Sequence, residues 1–506
     1  MAAVHTYFMA PDPGLVRLRI SLRAVLGVAL AVALAELLGL SLVASITAGL
    51  AALLALFTVG DPTVRRQAVT TALLPTVGFP VLALAALLHG APLVRDAAWL
   101  LVIFAGVYAR RWGPRGHALG IFAFMQFFVT QFLHALPAQL PELYAATGIA
   151  LGAAATVRFV LWPIERRVPP PAVPAALAGT GLARATTRQA VQVAVASGAA
   201  LVIGQFLSEE RWYWAVGTVW WIFVNTSSRG ETLVRGFRRV LGTVTGIAGG
   251  FLVAVPLGGG APALTAVLVA VCVFGIFYTA AVSYSWMILA VTVMASLLYG
   301  LLGVLDGALL LLRVAETGVG AVCAGLAVTL VLPVRTHTTN DAWIQRALLC
   351  VRSATSASVR RLAGEQAADP TPHAAELEAL LGRVRLSLAP LVHPLNPFRG
   401  RKQRARRVLG LLDEAAGEVR GLVSVAADPD AGHDARLAAA CWRVEAAVEA
   451  LTSRDGAAVE PDAHHRSESD VHAGAPALAH ARGLARVLTE LDAPLRTPPG
   501  AWVVRS

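Results

Sequence analysis

Residues 229–254, RGETLVRGFRRVLGTVTGIAGGFLVA, set four arginines (Arg229, Arg235, Arg238 and Arg239) ahead of an apolar run in which Gly242, Gly246 and Gly250 recur every four residues. A helix on the surface of a soluble protein keeps its charge along one face for its whole length. Here the charge stops at one end, and the remainder is apolar all round. That is the pattern of a chain entering a bilayer from the cytoplasmic side, where Lys and Arg collect.

The whole chain agrees with this reading. It has 506 residues, 56% hydrophobic and 14% charged, with a net charge of +11. Soluble domains average about 25% charged residues, so an ordinary globular fold is excluded for most of the length. The apolar runs occupy residues 1 to about 335, and soluble composition begins near 338. Lys402 is the only lysine. That bias reflects coding preference, so abundant arginine is weak evidence of arginine chemistry. The four cysteines show no CxxC spacing, which indicates neither a zinc site nor a disulfide framework. The first residues lack the pattern of a cleaved signal peptide.

A spanning helix needs about 20 mostly apolar residues. The sequence predicts spans near 20–41, 43–60, 70–89, 93–109, 117–135 and 143–163, then near 188–207, 212–226, 238–256, 262–281, 284–304 and 310–333. The fourth contains Arg95 and Asp96, and the eighth is short. Arginines flank alternate loops: Arg17, Arg19 and Arg23; Arg65 and Arg66; Arg110, Arg111 and Arg115; Arg166, Arg167 and Arg184. The loops LLGLS and HALPAQLPELY have none. Both termini are therefore expected in the cytoplasm.

The two sets of six also echo each other. RISLRAVLGVALAVALAELLGLS (19–41) matches ATTRQAVQVAVASGAALVIGQFLS (185–208), and each set closes on a proline, in RFVLWPIERR and VTLVLPVRTH. The expectation is an all-α membrane protein of two parallel six-helix repeats, 1–167 and 185–337, joined by a linker at 168–184. A cytoplasmic helical tail, 338–506, follows, with a disordered segment near 456–475. In that tail Val408, Leu411, Leu412, Ala415, Val419 and Leu422 recur at helical spacing. Thr371-Pro372 is a helix-start signal.

The stretch RWYWAVGTVWWIFVNTSSRGETLVRGFRRVLGTVTGIAGG (211–250) resembles the fusaric acid resistance family of bacterial inner-membrane transporters, which is related to the aromatic acid exporters. The resemblance rests on Tyr213-Trp214-Ala215, Arg229-Gly230, Arg239-x-x-Gly242-Thr243-x-x-Gly246 and the closing RVAETGVGAVCAGLAVTLVLP. It covers about 185–335 and extends loosely over 15–165, where DPTVRRQAVTT lacks the Gly-Thr pair. It implies export of aromatic or other organic acids without a cofactor.

Several residues are candidates for the substrate path. Arg239, Arg229 and Arg188 could form a positive mouth, since a guanidinium holds a carboxylate through two parallel hydrogen bonds. Topology alone accounts for Arg235 and Arg238. Glu316 inside the last span is either a proton-coupling group or the partner of Arg313 in an intrahelical ion pair. Gln126, Thr130 and His134, four residues apart, make a polar stripe that either bonds neighbouring helices or lines a path. Arg158 and Glu36 lie near span ends, where their side chains can reach the interface. Trp212, Trp214, Trp220 and Trp221 read as interface anchors, unless those deeper in the span stack on an aromatic substrate. Gly242, Gly246 and Gly250 are read as a close helix-packing face.

The basic run Arg399, Arg401, Lys402, Arg404, Arg406 and Arg407 suits anionic lipid headgroups better than nucleic acid. His464, His465 and His472 do not make a convincing metal site. No G-x-x-x-x-G-K-[ST] pattern exists, so the chain does not hydrolyse ATP through a P-loop. No nucleophile elbow or HExxH suggests an enzyme. The expected function is secondary export of organic anions, above all aromatic carboxylates, at the expense of the proton gradient. A passive anion channel and a non-transporting envelope scaffold are the alternatives. Expected partners are the organic anion and membrane lipids, with a homo-oligomer and a periplasmic adaptor compatible; no cofactor, metal or nucleic acid is expected.

Overall fold

The computed structural model describes residues 15–165, 181–224, 226, 229–257, 260–333, 336–392, 399–428, 436–452 and 476–496. The described residues are helical throughout, without a strand. They fall into two compact units, one ending at Val334 and the other beginning at Arg335.

The first unit holds α1 (Val16–Leu37), α2 (Leu42–Thr58), α3 (Val64–Leu87), α4 (Pro92–Tyr108), α5 (Gly113–Phe132) and α6 (Leu140–Glu165). It continues with α7 (Ala185–Leu207), α8 (Tyr213–Phe223), α9 (Arg229–Leu257), α10 (Pro262–Ala280), α11 (Tyr284–Leu301) and α12 (Gly307–Leu330). Their starts follow local chemistry. The Ser41 and Thr63 hydroxyls accept from the backbone N–H of Ala44 and Arg66 and cap α2 and α3. Pro92 and Pro262 open α4 and α10, where a missing N–H costs nothing. Gly39 takes φ 71° in the tight turn from α1 to α2.

The neighbours of each helix in the first six recur in the second six. α1 packs on α2 and α6, as α7 packs on α8 and α12; α2 packs on α6, as α8 packs on α12. α3 packs on α5 and α6, as α9 does on α11 and α12, and α4 packs on α5 as α10 does on α11. The two sixes meet through α4 against α7 and through α10 against α1, which are again corresponding pairs.

Nine helical runs among the described residues are long and apolar enough to cross a membrane, with Pro92–Phe132 counted as one run. The protein is therefore a multi-pass membrane protein. α2 is apolar but has 17 residues, and α8 has 11. Outward-facing Leu93, Phe206 and Leu252 are more than three-quarters exposed, as lipid-facing side chains are.

The glycine stripe of α9 lies on α11. A Cβ on Gly242 would stand 2.6 Å from the Ser285 carbonyl oxygen, one on Gly246 2.6 Å from Thr292 Cβ, and one on Gly250 2.6 Å from Ser296 Oγ. Two sequence expectations change here. Trp212, Trp214 and Trp220 are buried rather than anchored at an interface. Trp220 stacks on Phe124 of α5 with centroids 4.3 Å apart, and Trp99 of α4 stacks on Phe127 at 5.3 Å. Arg158 does not reach for an interface. It is buried and donates to the carbonyls of Val59 (2.8 Å), Ala55 (3.1 Å) and Leu56 (3.2 Å), closing the end of α2.

The second unit contains α13 (Thr336–Leu362), α14 (Thr371–Val392), α15 (Arg399–Ala426), α16 (Arg436–Thr452) and α17 (Pro476–Arg496). α13 packs on α14, α15 and α16; α15 packs on α14 and α17, and α16 on α17. Val408, Leu411, Leu412, Ala415, Val419 and Leu422 form the buried face of α15. Of its basic run, Arg404 donates to the Pro494 and Leu495 carbonyls, while Arg406 and Arg407 are exposed. The segment near 456–475, with His464, His465 and His472, and most of the linker 168–184 lie outside the described residues.

Candidate functional site

A cavity of about 90 Å³ lies where α2 and α5 of the first six face α8, α9, α10 and α11 of the second. From the first six come Leu50, Leu53, Leu54 and Phe57 on one face of α2, and Met125, Phe128, Val129 and Phe132 on α5. The second six supply Trp214, Trp221, Ile276, Met287, Ile288 and their neighbours on α11. Arg239 is the single charged residue among those that line it.

Arg239 reaches this place because it precedes Gly242 and Gly246 on one face of α9, and that face is pressed against α11. It is 2% exposed, and its Nε has no hydrogen-bond partner. Nearby, Arg235 sits 4.0 Å over the Tyr284 ring and donates to the Trp221 carbonyl at 3.2 Å. The Tyr284 hydroxyl donates to the same carbonyl at 3.1 Å. Arg235 thus braces the junction of α8, α9 and α11, which its reading as a topology charge did not include. A buried donor without an acceptor costs about 1–3 kcal/mol. An anion brought to Arg239 would relieve that cost, and the aromatic walls suit a flat apolar body.

A second buried group of charges stands behind Trp214. The Arg313 guanidinium lies 3.5 Å from the Trp214 ring centroid, and its Nε and one terminal nitrogen have no hydrogen-bond partner. The Trp214 indole N–H donates to the Tyr299 hydroxyl at 2.6 Å, and that hydroxyl lies 3.2 Å from the one on Tyr213. Arg211 donates to the Tyr213 hydroxyl at 3.4 Å. Glu316 follows Arg313 on α12 and is fully buried, yet neither of its oxygens accepts a hydrogen bond. The hydrogen-bonded Arg313–Glu316 pair considered from sequence is absent.

The other sequence candidates are scattered. Arg188 is partly exposed and donates to the Leu182 carbonyl at 2.6 Å, and Arg229 is exposed at the first turn of α9; neither lines the cavity. Gln126 and Thr130 are buried on α5 beside cavity-lining Met125 and Val129, but they do not line it. The Thr130 hydroxyl donates to the Gln126 carbonyl of its own helix at 2.8 Å, while Gln126 Oε1 has no partner. His134, beyond the end of α5, is exposed at φ 49°. Loss of solvation, and next the charge of Arg211, hold its pKa below the ordinary imidazole value.

Residues that sequence reading passed over include Phe57, Phe128 and Tyr299. The 50, 53, 54, 57 spacing on α2 was the available signal for one wall of the cavity. Arg110 was also taken for a loop charge only. It donates to the Gln189 side chain at 3.3 Å and to the carbonyls of Phe223 and Thr226 at 3.2 Å each, fastening the end of α8 to α4 and α7.

Residues 199–327 match the family described as fusaric acid resistance protein-like. No curated protein and no solved structure matches the chain.

Proposed function

We propose, from the fusaric acid resistance protein-like character of residues 199–327, that this membrane protein is a secondary transporter that exports organic anions, above all aromatic carboxylates. The observation that carries the reading is the cavity between the two sixes, walled by Phe57, Phe128, Phe132, Trp214 and Trp221 and holding one cation, Arg239. The carboxylate pairs with the guanidinium and the ring lies among the aromatics. Each six acts as one repeat of a twelve-crossing parallel pair, and rocking of one against the other exposes the cavity to either side. Glu316 couples a proton to this movement. Neither Arg188 nor Arg229 is needed at the site.

Arg239→Lys tests the reading. Lysine keeps the charge but loses the planar two-pronged donor. Uptake of labelled benzoate into everted vesicles is expected to fall, with apparent affinity weakened about ten- to a hundredfold, as losing a charge-assisted hydrogen bond of about 1.5–3 kcal/mol requires. Arg238→Lys is the control, because Arg238 is exposed on the same helix. Equal uptake by the parent and both variants at matched protein level removes Arg239 from the site.

The orientation is part of the proposal: an inner-membrane protein with cytoplasmic termini. A reporter joined after Arg115 should read cytoplasmic, and one inserted at Pro137–Gln139 should read external. Reversed signals would overturn the assignment from arginine placement.

A further inference from the structure

Three buried ionisable side chains cluster behind and beside the cavity wall: Arg239, Arg313 and Glu316. Two are cations and one is an acid. All three have buried polar atoms without hydrogen-bond partners, and neither oxygen of Glu316 is bonded. Arg158 is equally buried, but it spends itself on three carbonyls. Arg313 presses on Trp214, and Trp214 lines the cavity that Arg239 enters.

We propose that Glu316 is a proton-binding site whose occupancy rises with that of the anion site: an aromatic carboxylate bound at Arg239 draws one proton from solution onto Glu316. This rests on the cavity being the anion site. The sign follows from charge. With Glu316 ionised the trio sums to +1, and with Glu316 protonated it sums to +2. An incoming anion adds one negative charge. It is held better by +2 than by +1, and its own field disfavours a second negative charge on Glu316. By reciprocity, proton and anion strengthen each other by the same factor.

Among the described residues, the helices packed on α12 carry one other acid, Glu231 in the first turn of α9. α12 packs on α7, α8 and α9. From α8 and the turn before it come Tyr213 and Arg211, and α11 contributes Tyr299. α9 brings Arg239 inward and keeps Arg229, Glu231, Arg235 and Arg238 in its first three turns. α7 carries Arg188 alone, bonded at its first turn to Leu182. Of the carboxylates within the helices of the first unit, Asp96 is ion-paired to Arg95 at 2.9 Å and bonded by Gln205 at 2.7 Å. Among the described residues, Glu316 is the one carboxylate with both oxygens buried and unbonded.

Co-binding has the sign of cotransport. A carrier that moves the anion outward releases the proton with it, so the inward proton gradient does not drive export by exchange. Under this proposal, expulsion runs down the gradient of the acid itself.

The test is titration calorimetry of the purified full-length protein with benzoate, in two buffers of different ionisation enthalpy, from about pH 6 to pH 8. Parent protein should take up a proton on binding, and affinity should fall by up to about tenfold per pH unit across the titration of Glu316. Glu316→Gln should still bind benzoate, with proton uptake gone and the pH slope flattened. His134→Gln should keep both. Binding by the parent without proton uptake, uptake that survives in Glu316→Gln, or uptake lost in His134→Gln overturns the proposal. If Glu316→Gln does not fold, the parent and the His134 variant still decide it. If the parent binds no benzoate and transports none, the anion-site reading fails and the coupling falls with it.

Discussion

Gly246→Leu is expected to remove most of the folded protein from the membrane. A Cβ alone at this position would stand 2.6 Å from Thr292 Cβ and 3.0 Å from the Leu289 carbonyl oxygen. Backbone cannot rotate aside as a long side chain can, so α9 and α11 must separate. That separation also breaks the contacts of Gly242 and Gly250 on the same face. Overpacking a tight core costs about 1–3 kcal/mol or more. A domain held by about 5–15 kcal/mol loses much of its margin. Gly318→Leu supplies the comparison, because a Cβ there meets nothing within 4 Å. Detergent-extracted protein, followed by size-exclusion profile and thermal melt, should show loss for the first and parental behaviour for the second. Parental amounts of both would mean that α9 and α11 are not in close contact at Gly246.

Arg158→Met is expected to be nearly as damaging, although it retains volume and removes a charge from the bilayer. The three carbonyls it serves, of Ala55, Leu56 and Val59, belong to the end of α2. The last carbonyls of a helix have no partner within it. At about 1–3 kcal/mol for each unsatisfied buried acceptor, the loss is about 3 kcal/mol at least. Hydropathy alone scores the change as favourable, so the two accounts predict opposite signs. A lower melting temperature in detergent supports the carbonyl account; a higher one refutes it.

Much of the first unit was legible from sequence because lipid imposes a coarse rule: long apolar runs between clusters of arginine. The helix starts at Pro92 and Pro262 follow the same proline chemistry that the reading used at Thr371-Pro372. α8 was harder, since its buried tryptophans resemble an interfacial belt when only their type is known. They pack on Phe124, Phe128 and Trp99, which stand about 85 to 115 residues earlier in the chain, and no local periodicity announces such a pairing. The site divides the same way. Arg239 was legible as a charge on the glycine face at the membrane edge. Its companions on α2 and α5 were not, because they come from the other six. Arg158 and Arg110 looked like ordinary end-of-span charges, and only the fold reveals which carbonyls they meet.

The fastening of α8 bears on how the chain is made. Eleven residues of helix extend about 16 Å, roughly half the hydrocarbon thickness. When α8 leaves the ribosome it cannot lodge across the bilayer as a self-sufficient rod. Its closing carbonyls are claimed by Arg110, which follows α4, and Thr226 just beyond also receives Gln189 of α7. Those residues have already been synthesised by then. Part of the berth for α8 is therefore made before it, whereas α12, on which it also packs, is made after it. Arg158 gives α2 the opposite circumstance, because its fastener on α6 is made about a hundred residues later. The end of α2 thus waits for α6 to emerge, whereas the fasteners at the end of α8 precede it in the chain.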